Sequence, residues 1–360
     1  MPLYPNSLIP VSFYNWGYKN SGIDISRTDS IKSELDDILA IEDNRVLNRV
    51  GAFASLFDIS NLSMYESPVL VLKAEEPGSK QKLALENGKI GSVCHDMINH
   101  LVNDIAVMGA DPLAVLDVII TGSVNESITK EIVSQISAAC KNNCCSLVGG
   151  ETSIQPGIVE NELVVLSSTV TGIVEKSKII DGSNINCDDI VVAVASNGVH
   201  TNGYTLIRTL LDNFPDLSQK KLKNGNTFLN EILLPHTAYY PFINSLLKVV
   251  DVHGMAHITG GGIEGNLCRI IPAGLSSVIS LDKIETLEVF KIIKEIGNID
   301  DSEMLATFNC GVGLTIVIPK NEWSSLKNVA DEMNINCYQI GEIKQKSDNN
   351  VIKFKGELKW

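Results

Sequence analysis

The chain of 360 residues has no long apolar run, and nothing in it approaches the roughly 18 consecutive apolar residues of a membrane-spanning helix. Its first residues, Met1-Pro2-Leu3-Tyr4-Pro5-Asn6, lack the basic stretch and the apolar segment of a secretory leader. Basic charge is scarce too: 29 Lys and Arg stand against 43 Asp and Glu, a formal net charge of −14. A field of that sign repels nucleic-acid backbones, and the densest basic run, Gln219-Lys220-Lys221-Leu222-Lys223, reads as a solvated loop. Small anions stay possible, because backbone amides and a few cations can be placed locally. The eight cysteines contain no C-x-x-C pair, which removes zinc-ribbon spacing, and a chain this long does not need disulfide staples. There is no internal repeat and no low-complexity segment. These absences predict a cytoplasmic protein with reduced thiols and neither membrane nor nucleic-acid partners.

What is present suits large buried cores: 44% of residues are hydrophobic and 20% charged. At roughly 100–200 residues per domain, two domains are expected. Residues 1–45 read as an irregular arm with a helix over Asp29–Ile41. Residues 46–174 read as a first domain, 175–345 as a second and 346–360 as a C-terminal tail. In the first domain, strands are expected over Pro68–Leu72, Leu113–Ile120, Cys145–Val148 and Leu163–Val174, and helices over Ile90–Met108 and Glu126–Lys141. The polar turn Asp181-Gly182-Ser183-Asn184 marks the boundary region. Beyond it come strands over Ile190–Ala195 and Gly311–Ile318, and helices over Gly203–Leu211, Pro241–Val249 and Ile263–Ile271. Alternating strands and helices make both domains α/β or α+β.

Several segments carry chemistry. Asn103 and Asp104 are polar residues in an otherwise apolar helix, costly unless they face solvent, a partner or a metal; the helix then stops at Gly109-Ala110-Asp111-Pro112. Alone, this is equally a solvent-facing turn before a Gly/Pro stop. Gly260-Gly261-Gly262 precedes a helix and leaves amides unobstructed toward an anion, although a lone glycine triplet is more often a flexible loop. Ser196 to Tyr204 places small, amide-bearing residues after a strand, with His200 able to donate to an anion or move a proton. Glu151 follows two glycines at the expected end of a strand, where its carboxylate would project into a cleft or cap a helix. His253 and His257 are four apart, but the adjacent glycines argue against one helix face and so against a zinc pair.

Taken together, the segments resemble the aminoimidazole ribonucleotide (AIR) synthetase family, the phosphoribosylformylglycinamidine cyclo-ligases. Asp104-x4-Gly109-Ala110-x-Pro112 resembles that superfamily's nucleotide signature. Tyr18-Lys19-Asn20-Ser21-Gly22-Ile23-Asp24, Gly149-Gly150-Glu151-Thr152, Ser196 to Tyr204, Asp251 to Gly262 and Thr307-Phe308-Asn309-Cys310-Gly311-Val312-Gly313 follow in the family's order. The resemblance implies an ATP- and Mg2+-dependent enzyme acting on a phosphorylated small molecule. It also implies a homodimer whose N-terminal sheets form a barrel, with a C-terminal α/β sandwich beside it. It assigns Glu75 and Asp104 to the metal, and Lys19, Lys80, Asn103, Asp104, Gly109, Ala110, Pro112 and Glu151 to the nucleotide. To the substrate it assigns His200, Thr201, Asn202, Gly203, His257, Gly260, Gly261, Gly262 and Asn309, with His200, Lys80 and Glu151 catalytic.

The chain also departs from the family. The element T-D-G-V-G-T-K is replaced by Ala74-Glu75-Glu76-Pro77-Gly78-Ser79-Lys80, and Pro77 removes an amide donor. Thr237 and Ala306 stand where the family has arginines, which neither can replace as anion clamps. A paralogue with another small substrate, or a nucleotide-binding dimer without catalysis, therefore stays open at this stage. Sister enzymes fit less well: the first cysteine is Cys94, too late for a selenophosphate synthetase, and the chain ends in Trp360 where a carbamoyl dehydratase would have cysteine.

Overall fold

The computed structural model describes residues 43–48, 52–123 and 125–360. Lys19, with the element around it, and the helix expected over Asp29–Ile41 lie outside the described residues. Two sheets organise the rest. The first has four strands: β1 (Pro68–Glu75), β2 (Asp111–Thr121), β3 (Ser146–Ile154) and β4 (Val164–Glu175), in the order β1-β4-β2-β3. Strands β1 and β2 run antiparallel to β4, whereas β2 and β3 are parallel. A parallel pair needs a crossover, here helix α3 (Glu126–Asn142), whose N-cap Asn125 accepts from the Ile128 amide at 3.2 Å.

Helices α1 (Lys80–Glu86), α2 (Ile90–Ala106) and α3 cover one face of this sheet. The covering stripe of α2, Val93, Met97, Ile98, Leu101, Val102 and Ile105, is fully buried and recurs at helical spacing. At Gly109, φ of +83° ends the helix in the left-handed turn that glycine tolerates. The opposite face of the sheet stays open, with Leu70, Leu72, Leu116 and Val165 exposed.

The second sheet has six strands in the order β10-β7-β9-β5-β8-β6. Its central strands β5 (Ile190–Ala195) and β8 (Val312–Ile318) are buried along their length, as continuous apolar runs require of strands covered on both sides. Around them lie β6 (Gly254–His257), β7 (Leu275–Ser280), β9 (Cys337–Gln345) and β10 (Ile352–Lys355). The helices of this unit are α4 (Tyr204–Asn213), α5 (Phe228–Ile232), α6 (Tyr240–Leu246), α7 (Gly262–Leu267), α8 (Glu288–Gly297), α9 (Asp301–Thr307) and α10 (Trp323–Glu332).

Three expectations change. The segment read as a C-terminal tail contributes β10, parallel to β7, because Ile352-Lys353-Phe354-Lys355 alternates with the period of a half-buried strand. Its end is also tied down, since Trp360 Nε1 donates to Asp301 at 2.9 Å. Strand β3 does not stop at Gly149-Gly150 but continues to Ile154, so Glu151 lies inside a strand. Helix α7 is shorter than expected and stops at Leu267.

Candidate active site

Where the two units meet, α2 presents a row of polar residues, Asp96, Asn99, His100, Asn103 and Asp104, at the 3–4-residue spacing of one helix side. Three of them are spent on the backbone of the second unit. Asp96 Oδ1 accepts from the His236 amide at 2.7 Å, and Asn99 Nδ2 donates to the His236 carbonyl at 2.6 Å. Asn103 Nδ2 donates to the Thr237 carbonyl at 2.9 Å while its Oδ1 accepts from the Tyr239 amide at 2.8 Å. Buried polar groups need such partners, and here the partners are the chain segment 236–239 itself. The row thereby fixes the second unit against the first.

The other two residues, His100 and Asp104, open onto a cavity of about 570 Å³ whose lining includes Lys73, Glu75, Asn202, His257, Gly260 and Arg269. Lys73 and Glu75 alternate along β1 and so share a face. The Lys73 ammonium lies 3.2 Å from Glu75 Oε2 and 3.1 Å from Asp104 Oδ2. His100 Nε2 is 3.6 Å from each of the same two oxygens. From β6, His257 Nδ1 sits 2.7 Å from Asp104 Oδ1, and its Nε2 is 2.8 Å from His236 Nε2. The tautomers follow from these partners: His257 Nδ1–H donates to Asp104, His236 Nε2–H donates to His257, and His236 Nδ1 is left as a lone pair, buried without a donor.

The electrostatics match. Burial pushes the Asp104 carboxyl up, but the His257 hydrogen bond and the charges of His257, His100 and Lys73 outweigh it and hold the group well below the ordinary carboxylate range. Burial, with help from His257, pushes His100 down to about 4 against the pull of Asp104 and Glu75, so its imidazole is neutral near pH 7. Burial also lowers Lys73, and Asp104 and Glu75 more than compensate, raising it. The site therefore sets the Asp104 and Glu75 carboxylates and the Lys73 ammonium beside the neutral imidazole of His100. Such a site accepts more positive charge and, through Lys73, anionic oxygen.

Comparison with known proteins gives the family of the chain. The N-terminal domain described as AIR synthase related protein matches residues 63–174, and the corresponding C-terminal domain matches residues 187–353. The phosphoribosylformylglycinamidine cyclo-ligase of Citrifermentans bemidjiense is 34% identical over 336 residues, covering 91% of this chain and 94% of that one. The protein of the same name from Prochlorococcus marinus is 35% identical over 344 residues, 95% of this chain and 99% of that one. The chain belongs to the AIR synthetase family. Among solved structures, the thiamine-monophosphate kinase of Stenotrophomonas maltophilia shares the fold with a TM-score of 0.66 at 16% identity, over 92% of this chain and 96% of that one. HypE of E. coli has the same TM-score and identity over 91% of this chain and 94% of that one.

Against the AIR synthetase pattern, the structure gathers some of the expected residues and moves others away. Glu75, Asp104, Asn202, His257 and Gly260 line the cavity, and Thr201 Oγ1 reaches His100 Nδ1 at 3.4 Å. Lys80 does not: all three of its N–H donors are used, on Asp96 at 2.8 Å, the Leu234 carbonyl at 2.8 Å and the His200 carbonyl at 3.0 Å, and it is wholly buried. Burial depresses this lysine and lifts Asp96, each opposed by the other's charge. Asn103 is taken up by the backbone bonds above. His200 is buried, its ring stacked on His236 at 3.8 Å; burial pushes it well below its ordinary value, so it is neutral, and its one N–H is spent on Asn197 Oδ1 at 3.0 Å. Asn309 pins the loop after β5, accepting from Ser196 Oγ and donating to the Gly198 carbonyl.

The expected glycines divide in the same way. Gly203 and Gly262 serve packing, since a Cβ on the first would run into Phe308 and one on the second into the Leu305 carbonyl. Gly261 caps α7, and the loop it belongs to is shaped by Asn266, whose Nδ2 donates to the carbonyls of Thr259, Gly260 and Gly262. Gly109 and Ala110 line a separate cavity beyond the end of α2, and Pro112 is buried at the start of β2. Glu151 pairs with Val118, and the row Glu75, Ser168, Asp117, Gly150 puts the far edge of the sheet about 14 Å from Glu75 at three interstrand spacings. By alternation Glu151 points to the open face, away from Asp104.

The altered loop has a clear effect. Gly78 N–H donates to Glu76 Oε2 at 2.7 Å, Pro77 has no N–H, and Lys80 is inside, so the stretch that carries the family's phosphate donors offers none of these three here. Among the described residues, Lys73 and Arg269 are the cations that line the cavity instead. Sequence reasoning missed Lys73, His100, His236 and Arg269. Two of them had a signal: Lys73 is two residues from Glu75 on a strand, and His100 four from Asp104 on a helix. His236 had none, because only the docking of the second unit brings it in.

Proposed function

We propose that this AIR synthetase family member is an ATP-dependent cyclo-ligase that closes the imidazole ring of aminoimidazole ribonucleotide from formylglycinamidine ribonucleotide in purine biosynthesis. One observation carries the reading: Asp104 and Glu75, held by Lys73, stand at a cavity large enough for phosphates, in a chain whose relatives of nearly equal length bear that name. Mg2+, which the family implies, fits the two carboxylates, since it is bound through one or two such groups plus phosphate oxygens. When bound, ATP supplies the phosphoryl group that turns the amide oxygen into a leaving group.

The protein's part is positioning and charge. Lys73 and Arg269 meet phosphate oxygens in place of the buried Lys80, and Asp104 stays ionised to hold the positive charge that accompanies them. Asn202 and the amides at Gly260 face the same space and orient the amide against the amidine nitrogen, which is where proximity lowers the barrier. The open apolar face of the first sheet, with Leu70, Leu72, Leu116 and Val165, is covered in a homodimer in this reading, and Glu151 then works at the junction between subunits. The eight free cysteines suit a reducing cytoplasm; no described helix is long and apolar enough to cross a membrane.

The test is to incubate the purified protein with Mg–ATP and formylglycinamidine ribonucleotide while following ADP and the aminoimidazole product. Both should form in equal amounts. ADP without aminoimidazole would remove the proposed substrate, and no ATP binding by calorimetry would remove the enzyme reading.

A further inference from the structure

The donor set in the cavity is richer in nitrogen than a magnesium site needs. We propose that His100 Nε2, His257 Nδ1 and the Asp104 carboxylate form a site for a borderline divalent transition metal of the Zn2+ or Co2+ class. The proposal concerns the same cavity as the ring-closing reading but does not depend on nucleotide. Ligand atoms of these three residues all lie within 4.8 Å of one another. Glu75 Oε2, 3.6 Å from His100 Nε2, stands ready as a fourth. Two imidazoles and a carboxylate suit such metals, whereas Mg2+ prefers oxygen alone.

The far nitrogen of each imidazole is already held, as it is in established metal sites. Thr201 Oγ1 lies 3.4 Å from His100 Nδ1, so Nε2 is the nitrogen that faces the carboxylates. His236 Nε2 lies 2.8 Å from His257 Nε2, so Nδ1 is the nitrogen that faces Asp104. A metal on His257 Nδ1 displaces the proton there; His257 then carries its proton on Nε2 and donates it in a hydrogen bond to His236 Nε2, with His236 protonated at Nδ1 instead and neutral throughout. Without a metal the position is bridged by the Lys73 ammonium between Glu75 and Asp104; its side chain is 37% exposed and can withdraw into the cavity. Lys73 therefore competes with the metal.

These relations give two opposite signs to test. Full-length protein stripped with chelator would be titrated with Zn2+ and Co2+ by calorimetry and visible absorption, without nucleotide, and with Mg2+ as comparison. One equivalent of Zn2+ or Co2+ should bind and raise the melting temperature, with Mg2+ at the same concentration giving no shift. His100→Ala should weaken Zn2+ binding by more than the roughly 10–100-fold that losing an outer-shell partner costs, Lys73→Gln should tighten it, and His253→Ala, at the separate His253–Asp189 pair, should leave it unchanged. Unaltered far-ultraviolet circular dichroism of each variant guards against misfolding, and His100→Gln gives a second route to the same loss. Absent binding, equal response to Mg2+, or loss with His253→Ala in place of His100→Ala would each overturn the site. A protein that forms the aminoimidazole product but binds no transition metal sinks this proposal alone; one that binds the metal but forms no product sinks the ring-closing reading alone.

Discussion

Asp96 and Asp104 sit eight residues apart on one helix, each beside a lysine, and yet they have opposite lives. The Asp96–Lys80 pair is sealed: both side chains are at 0% exposure, and the lysine's remaining donors go to carbonyls of the second unit. The Asp104–Lys73 pair faces a cavity, with the side chains at 24% and 37% exposure. A charge whose donors and acceptors are all used inside the protein is structural, whatever motif it belongs to. A charge with water on one side and unspent capacity is available to a ligand. Two turns of helix are enough to cross from one regime to the other.

The sharpest way to break the contrast is Lys80→Met. It leaves Asp96 uncompensated in the interior and should lower unfolding free energy by roughly 3–5 kcal/mol in chemical denaturation. A loss under about 1 kcal/mol would make this pair as superficial as an exposed one. Next in size, Asp104→Asn should cut kcat/KM by about 100-fold while moving the melting temperature by no more than about 2 °C. A large drop in melting temperature with activity preserved would reverse the two roles.

Asp117 adds a third case, a buried carboxyl with no cation, pushed up to about 7 by burial. With the folded value above the unfolded one, the native state keeps a proton that the unfolded chain has released. Stability is then full below about pH 4 and falls by up to about 1.4 kcal/mol per pH unit toward pH 7. Asp117→Asn should flatten that slope in denaturation series run across this window. An unchanged slope would mean that the carboxyl is not the desolvated group it looks to be.

Much of the fold was legible because its signals are local. The apolar period of α2 and the uninterrupted apolar runs of β5 and β8 sit in contiguous sequence, and burial follows from them. Strand β10 carries an equally local signal, the alternation of Ile352-Lys353-Phe354-Lys355 within the segment expected as a tail. The site was legible only where the family motif falls on the cavity lining, at Glu75, Asp104, Asn202, His257 and Gly260. Lys80, Asn103, His200 and Asn309 carry the same motif letters but face inward, because docking of the two units gives their polar atoms partners. That docking depends on contacts between residues more than a hundred positions apart, such as Asn103 with Thr237, and no window of sequence displays them.

The 153-residue separation between Asp104 and His257 also has a meaning in time. During synthesis from the N-terminus at roughly 5–20 residues per second, the first sheet and α2 are complete many seconds before β6 leaves the ribosome. Throughout that interval the chain holds Glu75 and Asp104 but not yet His236 or His257. Lys73 comes from the same early segment and is present from the start, so the nascent half of the protein carries its own counter-ion while it waits for the other half.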